Sequence, residues 1–279
     1  MAEAVQVLRC SPSLPLVLNP QQTELVIDSE QPLELTLHSE PRTRCSLLIR
    51  IVRAPSLSLR SDIGAGSQVT LLYWNQSEED ITIREHNEVG SDALLKVAYG
   101  HLSAGQVRHH STTLLTQPGA QASLHSAVIA RTVKELIVDC VHQAPQTEGN
   151  MENYGIILEG GSYRMEATGQ ILRGARGAKS HQASRALTFD EKQTATILPK
   201  LLIDENEVEA SHATSLGQMD EDQMMYLQSR GLSRDQAVML VTAGYLMPIA
   251  QIIDDEALQQ SLRQEIETKV NEVCSMSGK

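Results

Sequence analysis

From Arg44 to about Ala210 the chain carries short runs in which apolar and polar residues alternate with a period near two. The runs are "CSLLIRIV", "SLSLR", "QVTLLYW", "ITIREH", "ALLKVAY", "STTLLT", "ELIVDCVH", "YGIILE" and "TATILPKLLI". They are rich in Leu and β-branched residues and bounded by turn residues, which predicts a long series of strands. Small-residue turns recur ahead of them, at Gly64, Gly90, Pro118, Gly160 and Gly174. Their spacing is uneven, so the sequence defines no strict repeat. Before this body, Pro12, Pro15, Pro20, Pro32 and Pro41 separate short apolar runs, a pattern of edge strands and turns.

From Met219 the period becomes helical. Asp220 and Gln223 have capping-box spacing, Met224, Leu227 and Gln228 continue the helix, and Gly231 stands where a left-handed C′ residue is wanted. Ser233 and Gln236 repeat the cap, and Ala237, Leu240, Val241, Gly244 and Tyr245 form the expected apolar stripe. Pro248 breaks or kinks that helix. Asp254 and Asp255 can open a last helix with Leu258, Leu262, Ile266 and Val270 on its inner face. The expected organisation is an edge segment over 1–40, a β core over 41–216 and a helical domain over 217–279.

Many short strands with irregular glycine turns fit a sandwich, a barrel or a right-handed parallel β-helix. Aromatics make up only 3% of the 279 residues, with a single Phe and a single Trp. A core with so few rings is built from thin layers of Leu, Ile, Val and Ala, which favours the β-helix. The formal net charge of -12 argues against nucleic acid or an anionic membrane surface, both of which need a basic face. Cys10, Cys45, Cys140 and Cys274 lie far apart and form no CxxC, so neither a disulfide scaffold nor a zinc ribbon is expected. No signal-peptide pattern and no run approaching a membrane span is found, and a cytoplasmic protein is expected.

Signatures of catalysis are missing. There is no GxxxxGK[ST] loop, so no nucleotide is expected on this chain by that route, and no GxSxG or HExxH. "GARGAKS" is Gly-rich without phosphate-loop spacing and reads as a turn between strands. His109 and His110 point to opposite faces of a strand and cannot share a metal. Cys140 and His142 share a face with Leu136 and Val138. Together they are either metal or sulfur ligands or a core cysteine beside an edge histidine. His212 shares a face with Ala210 and Val208 at the end of the β body, while Glu209 and Ser211 face the other way.

The stretch "SHATSLGQMDEDQMMYLQSRGLSRDQAVMLVTAGYL", Ser211 to Leu246, resembles the C-terminal signature of the SufB/SufD family of iron–sulfur cluster assembly scaffold proteins. "GQILRGARGAKSHQASRALTFDEKQTATILPKLLIDENEV", Gly169 to Val208, matches elements of the same family. The likeness is specific over about Gly169 to Ile253, loose back to about residue 45 and absent before it. The chain reads as shorter than typical bacterial members, without most of their N-terminal helical region.

The resemblance implies a right-handed parallel β-helix with a C-terminal helical domain, and a non-catalytic scaffold rather than an enzyme. It implies an ABC-type ATPase partner (SufC-like) on the helices. An aromatic and an Arg next to apolar residues make a typical anchor set, so Tyr226, Leu227, Arg230 and Leu232 are the expected contact, the alternative being that Leu227 and Leu232 pack the helical domain on the solenoid. It also implies a second scaffold chain, as a homodimer or a SufB-like heterodimer, meeting at Glu209, Ser211 and His212, where a transient cluster is built. Ser184 and Ala210 stand where SufB-type and SufD-type members carry cysteines, while His212 matches the SufD-type histidine. The metal candidates are therefore His212, Cys140 and His142. The alternatives are an adaptor of the same complex that holds no iron, or a β-helix enzyme acting on polysaccharide. The latter would need a secretion signal and aromatic platforms that this sequence lacks.

Overall fold

In the computed structural model the described residues are 5–21, 23–189, 193–252 and 256–275, with backbone alone at 257, 258 and 273–275. The helix-opening Asp254 and Asp255 and the side chains of Leu258 and Cys274 lie outside them.

The strands form two parallel sheets. One is built from β1 (Val5–Leu8), β3 (Glu24–Asp28), β5 (Arg44–Arg53), β7 (Gln68–Asn75) and β9 (Leu94–His101). It continues through β11 (Gln121–Ala130), β13 (Glu148–Ile157), β15 (Lys179–Thr188) and β17 (Glu209–Gln218). The other begins with β2 (Leu16–Val17), β4 (Leu33–Ser39), β6 (Ser56–Ile63) and β8 (Ile81–Val89). It continues through β10 (Val107–Leu115), β12 (Val133–His142), β14 (Ser162–Ile171) and β16 (Thr194–Ile203). Successive strands thus switch sheets, and each pairs with the strand one turn later, as in a β-solenoid of about seven turns. The sheets extend into the proline-rich first 40 residues, since β3 pairs with β5 and β4 with β6.

The glycine turns stack even though their sequence spacing varies. At one corner Arg42, Gly66, Asp92, Gly119, Gln146 and Gly177 all adopt positive φ. Each donates its amide to a carbonyl of the next turn, Gly66 to Ser91 and Gly119 to Pro145 for example. Glycine occupies only some of these positions, so a search for recurring glycines misses the repeat.

Inward positions of both sheets carry the main core, with Leu71, Leu95, Leu124, Ile83, Leu136 and Met165 all buried. β7 is buried on both faces because a second apolar layer covers it. There Leu48, Leu72, Trp74, Ala98, Ile129 and Ile156 meet Leu246, Ile249, Leu262, Ile266 and Val270 from the C-terminal helices. A fully buried Leu or Ile contributes about 1.5–3 kcal/mol, so this layer fixes the helices firmly on the sheet of odd-numbered strands.

The helices are α1 (Glu221–Ser229), α2 (Arg234–Leu246) and α3 (Glu256–Ser275), with a 3₁₀ turn at Met247–Ile252 between the last two. Asp220 caps α1 by accepting from the amide of Asp222. Ser233 and Gln236 form the full capping box of α2. Gly231 follows α1 at φ +95°. Pro248 ends α2 as an α-helix and the chain goes on as the 3₁₀ turn. The inner face of α2 differs from the expected stripe: Leu240 is exposed, and Ala237, Thr242 and Leu246 are buried. α2 packs against α3 on one side and β13 on the other, which rotates its covered face away from Leu240.

Candidate functional site

The last rung of the solenoid is open. Among the described residues β16 pairs only with β14 and β17 only with β15, so each offers one unpaired strand edge. Pro199, which lacks an amide donor, is tolerated in β16 at such an edge. Leu202, Ile203 and Leu216 are exposed there. His212 lies on the rim, exposed, opposite Gln182 in the register of β15 and β17. Of its neighbours, Ser211 Oγ meets His181 Nδ1 at 2.8 Å and Glu209 pairs with Lys179 at 3.2 Å on the outer surface.

Beneath the rim the interior turns polar. Gln182 donates Nε2 to Lys200 O at 2.7 Å, which fixes the amide's orientation and leaves Oε1 buried without a partner among the described residues. Ser180 Oγ is likewise buried with no partner among the described residues. Ser184 is only 1% exposed and accepts from Asn153 Nδ2 at 3.1 Å, while Asn153 Oδ1 accepts from Ser126 at 2.8 Å. These residues stack in register as an internal ladder.

Cys140 and His142 are both fully buried and both point into the interior from β12. Burial pushes the Cys140 thiol up to about 12, with the Asp139 carboxylate adding to the effect, and pushes the His142 imidazole down to about 4. The structure brings these two residues together. It sets His212 on a different layer, because Cys140 pairs with Gly169 and Gly169 with Leu201 of the last rung. Two strand spacings, about 10 Å, separate the layers, so the three residues do not converge on one ion. Of the other cysteines, Cys10 is exposed and Cys45 half-buried, its thiol pushed up to about 11 by burial.

A second polar cluster sits deeper. Glu85 is buried with Tyr73 OH at 2.8 Å, Tyr99 OH at 2.5 Å and His109 Nε2 at 3.7 Å, and His109 Nδ1 lies 3.0 Å from His101 Nε2. Burial favours the neutral acid, but His109 and the two tyrosyl hydroxyls outweigh it and hold the carboxyl below the usual range. The sequence reading missed this cluster. The parity of "ITIREH" carries the signal, since Ile81, Ile83 and Glu85 share one face. His110 points the other way, to an outer pair with Asp139 at 2.9 Å, as the adjacent histidines require.

On the helices, Tyr226 and Arg230 are exposed, with the Arg230 guanidinium 5.1 Å from the Tyr226 ring centroid. Leu227 and Leu232 are half-buried. Met225 adds a further exposed apolar side chain beside Tyr226. Among the described residues no helix is long and apolar enough to cross a membrane.

Such a chain falls in the class of parallel β-solenoids with a helical cover on one sheet and an exposed last rung. Residues 54–245 match the family model described as SUF system FeS cluster assembly, SufBD core domain. The chain belongs to that family, whose members work in iron–sulfur cluster assembly. It is 32% identical over 183 residues to the iron-sulfur cluster assembly protein SufD of Bacillus subtilis, covering 65% of this chain and 42% of the relative. A SufBD family protein of Mycobacterium bovis is 32% identical over 111 residues, 40% of this chain and 13% of that protein. One from Staphylococcus aureus is 24% identical over 154 residues, 54% of this chain and 33% of the relative. The matched regions thus span less than half the length of these relatives.

Proposed function

We propose that this chain is a non-catalytic scaffold subunit of ATP-dependent iron–sulfur cluster assembly. The observation that carries the reading is the open last rung. Its unpaired edges can each accept a strand, and its exposed Leu202, Ile203 and Leu216 give a partner apolar surface to cover. The partner is a second scaffold chain, another copy or a SufB-like one, with Glu209, Ser211 and His212 at the contact. His212 then faces the joint between the two chains, where an imidazole can hold iron or a nascent cluster as cargo. α1 is the handle for an ABC-type ATPase: Met225 and Tyr226 offer exposed apolar surface, and Arg230 stacked on Tyr226 makes a preformed anchor beside Leu227 and Leu232.

The test is to co-express the chain with the ABC-type ATPase of its own organism, purify the complex anaerobically and measure iron and acid-labile sulfide. Stoichiometric iron and sulfide that disappear with His212→Ala, and loss of the ATPase with Tyr226→Ala, are the expected results. A chain that stays monomeric at micromolar concentration in sedimentation and never retains the ATPase would sink the reading.

An iron-free adaptor of the same complex is the second reading. What favours it is the absence of thiols at Ser184 and Ala210, together with the lack, among the described residues, of any cluster of three metal-ligating side chains. A stable ATPase complex without iron would select it.

A further inference from the structure

We propose that Cys140 and His142 form a buried site for a single divalent first-row transition-metal ion, independent of the rim at His212. The hydrogen bonds around His142 carry the argument. Thr147 Oγ1 donates its proton to Ala144 O at 3.1 Å and stands 2.8 Å from His142 Nδ1. Both contacts are satisfied at once only when Thr147 accepts from Nδ1–H while donating to Ala144 O, and that arrangement makes Nδ1 the protonated nitrogen. Nε2 is then a bare lone pair, fully buried and without a partner among the described residues. This is the tautomer a metal requires, oriented through the other ring nitrogen in the way ligating histidines usually are.

The lone pair and the thiol converge. A methyl group built on Gly149 would lie 2.6 Å from Cys140 Sγ and 2.9 Å from His142 Nε2. Both ligand atoms therefore crowd the same bare stretch of backbone, which only glycine leaves open to them. Packing alone does not explain the choice of residues. The rung neighbours of His142 in the same column are Leu115 and Ile171, and an aliphatic side chain there would leave no orphaned nitrogen. One rung nearer the open end, Ser180 pairs with Gly149, and both Ser180 Oγ and Gln182 Oε1 have no partner among the described residues. Ser180 lies one strand spacing, about 5 Å, from the Gly149 layer, and with Gln182 it makes a polar route in from the rim. Sulfur and imidazole nitrogen donors suit ferrous iron, zinc or cobalt rather than calcium or magnesium. On binding, the Cys140 thiol gives its proton to solvent and its sulfur lone pair to the ion, so one proton is released per ion.

Cobalt(II) added anaerobically to the reduced full-length chain is the probe. The expected result is a near-ultraviolet thiolate-to-cobalt band with visible d–d bands, saturating at one equivalent. Cys140→Ser removes the near-ultraviolet band. Thr147→Val, which frees the imidazole to rotate and change tautomer, weakens binding by about tenfold or more. His212→Ala leaves the spectrum unchanged, which keeps the outcome separate from the fate of the rim. If Cys140→Ser does not fold, a variant with Cys10, Cys45 and Cys274 all changed to Ser must still show the band. No thiolate band in the wild type, its survival in Cys140→Ser, or its loss in His212→Ala overturns the proposal.

Discussion

Arg50 on β5 holds Glu265 on α3 through two parallel hydrogen bonds of 2.9 and 3.0 Å, and its Nε holds Glu24 on β3 at 2.6 Å. One guanidinium thereby ties two neighbouring strands to a helix 215 residues away in sequence. All three side chains are mostly shielded, so the pair is less weakened by solvent than an ordinary surface bridge. Glu265→Gln is expected to cost about 1.5–3 kcal/mol in urea unfolding. An Arg50→Met, Glu265→Leu double variant should recover part of that cost, because neither charge is then left alone. A cost below about 0.5 kcal/mol for Glu265→Gln would mean that the apolar layer alone holds α3.

Trp74 lies against the bare backbone of Gly100 on the next strand, where an added methyl would overlap ring atoms Cε3 and Cζ3. Gly100→Ala must push the ring into the helical layer beside Leu102 and cost about 1–3 kcal/mol. Trp74 is the single tryptophan, so its fluorescence reports the displacement directly. A shifted emission maximum with lowered stability is expected, and an unchanged spectrum would mean that the cover does not press on this sheet.

Acid should loosen the solenoid before its carboxylates titrate. Burial pushes His125 down to about 4, against an attraction from Glu152 that acts the other way, and pushes His101 well below its ordinary value. An unfolded imidazole takes up its proton near pH 6.5. Between about pH 6.5 and 4 the unfolded chain therefore binds more protons than the folded one, and stability falls as the pH drops through that window. His125→Gln should flatten the fall by about 2–3 kcal/mol, read from urea midpoints at pH 7 and pH 4.5. The same slope in the variant would mean that His125 is protonated in the fold, beside Glu152.

The strands, the caps and the switch to helix were legible because each rests on local chemistry: alternation in "ELIVDCVH", Ser233 with Gln236, and Gly231 after α1. The shared face of Cys140 and His142 followed from strand geometry alone. What was not legible depends on how far the chain travels per turn. The separation of His212 from Cys140 is set by turn lengths that vary from rung to rung, and half the stacked turn residues are Arg42, Asp92 and Gln146 instead of glycine. The folding of the helices back onto the sheet left a trace that alternation obscures. "QVTLLYW" is apolar on both faces, which a strand needs only when both faces are covered.

Ser184 and Ala210, the two positions that the family resemblance sets against cysteines, sit in different surroundings, and that difference is testable. Ser184 is enclosed, held by Asn153 and buried within the solenoid. Ala210 is half-buried on the last rung, packed near Ile171, Ala175 and Ala178, and shares its strand face with His212 two residues on. A thiol at 210 would stand beside the rim imidazole with the same two-residue spacing that joins Cys140 to His142. Ala210→Cys, co-expressed with the ABC-type ATPase proposed above as partner, is therefore expected to retain more iron per chain through gel filtration than the wild type, with the gain lost when His212→Ala is added. Ser184→Cys should give no gain and react slowly with thiol reagents, since the side chain it replaces is shut away from solvent. If Ser184→Cys alone raised the retained iron, the metal would have to be held inside the solenoid, and the rim would be only its way in.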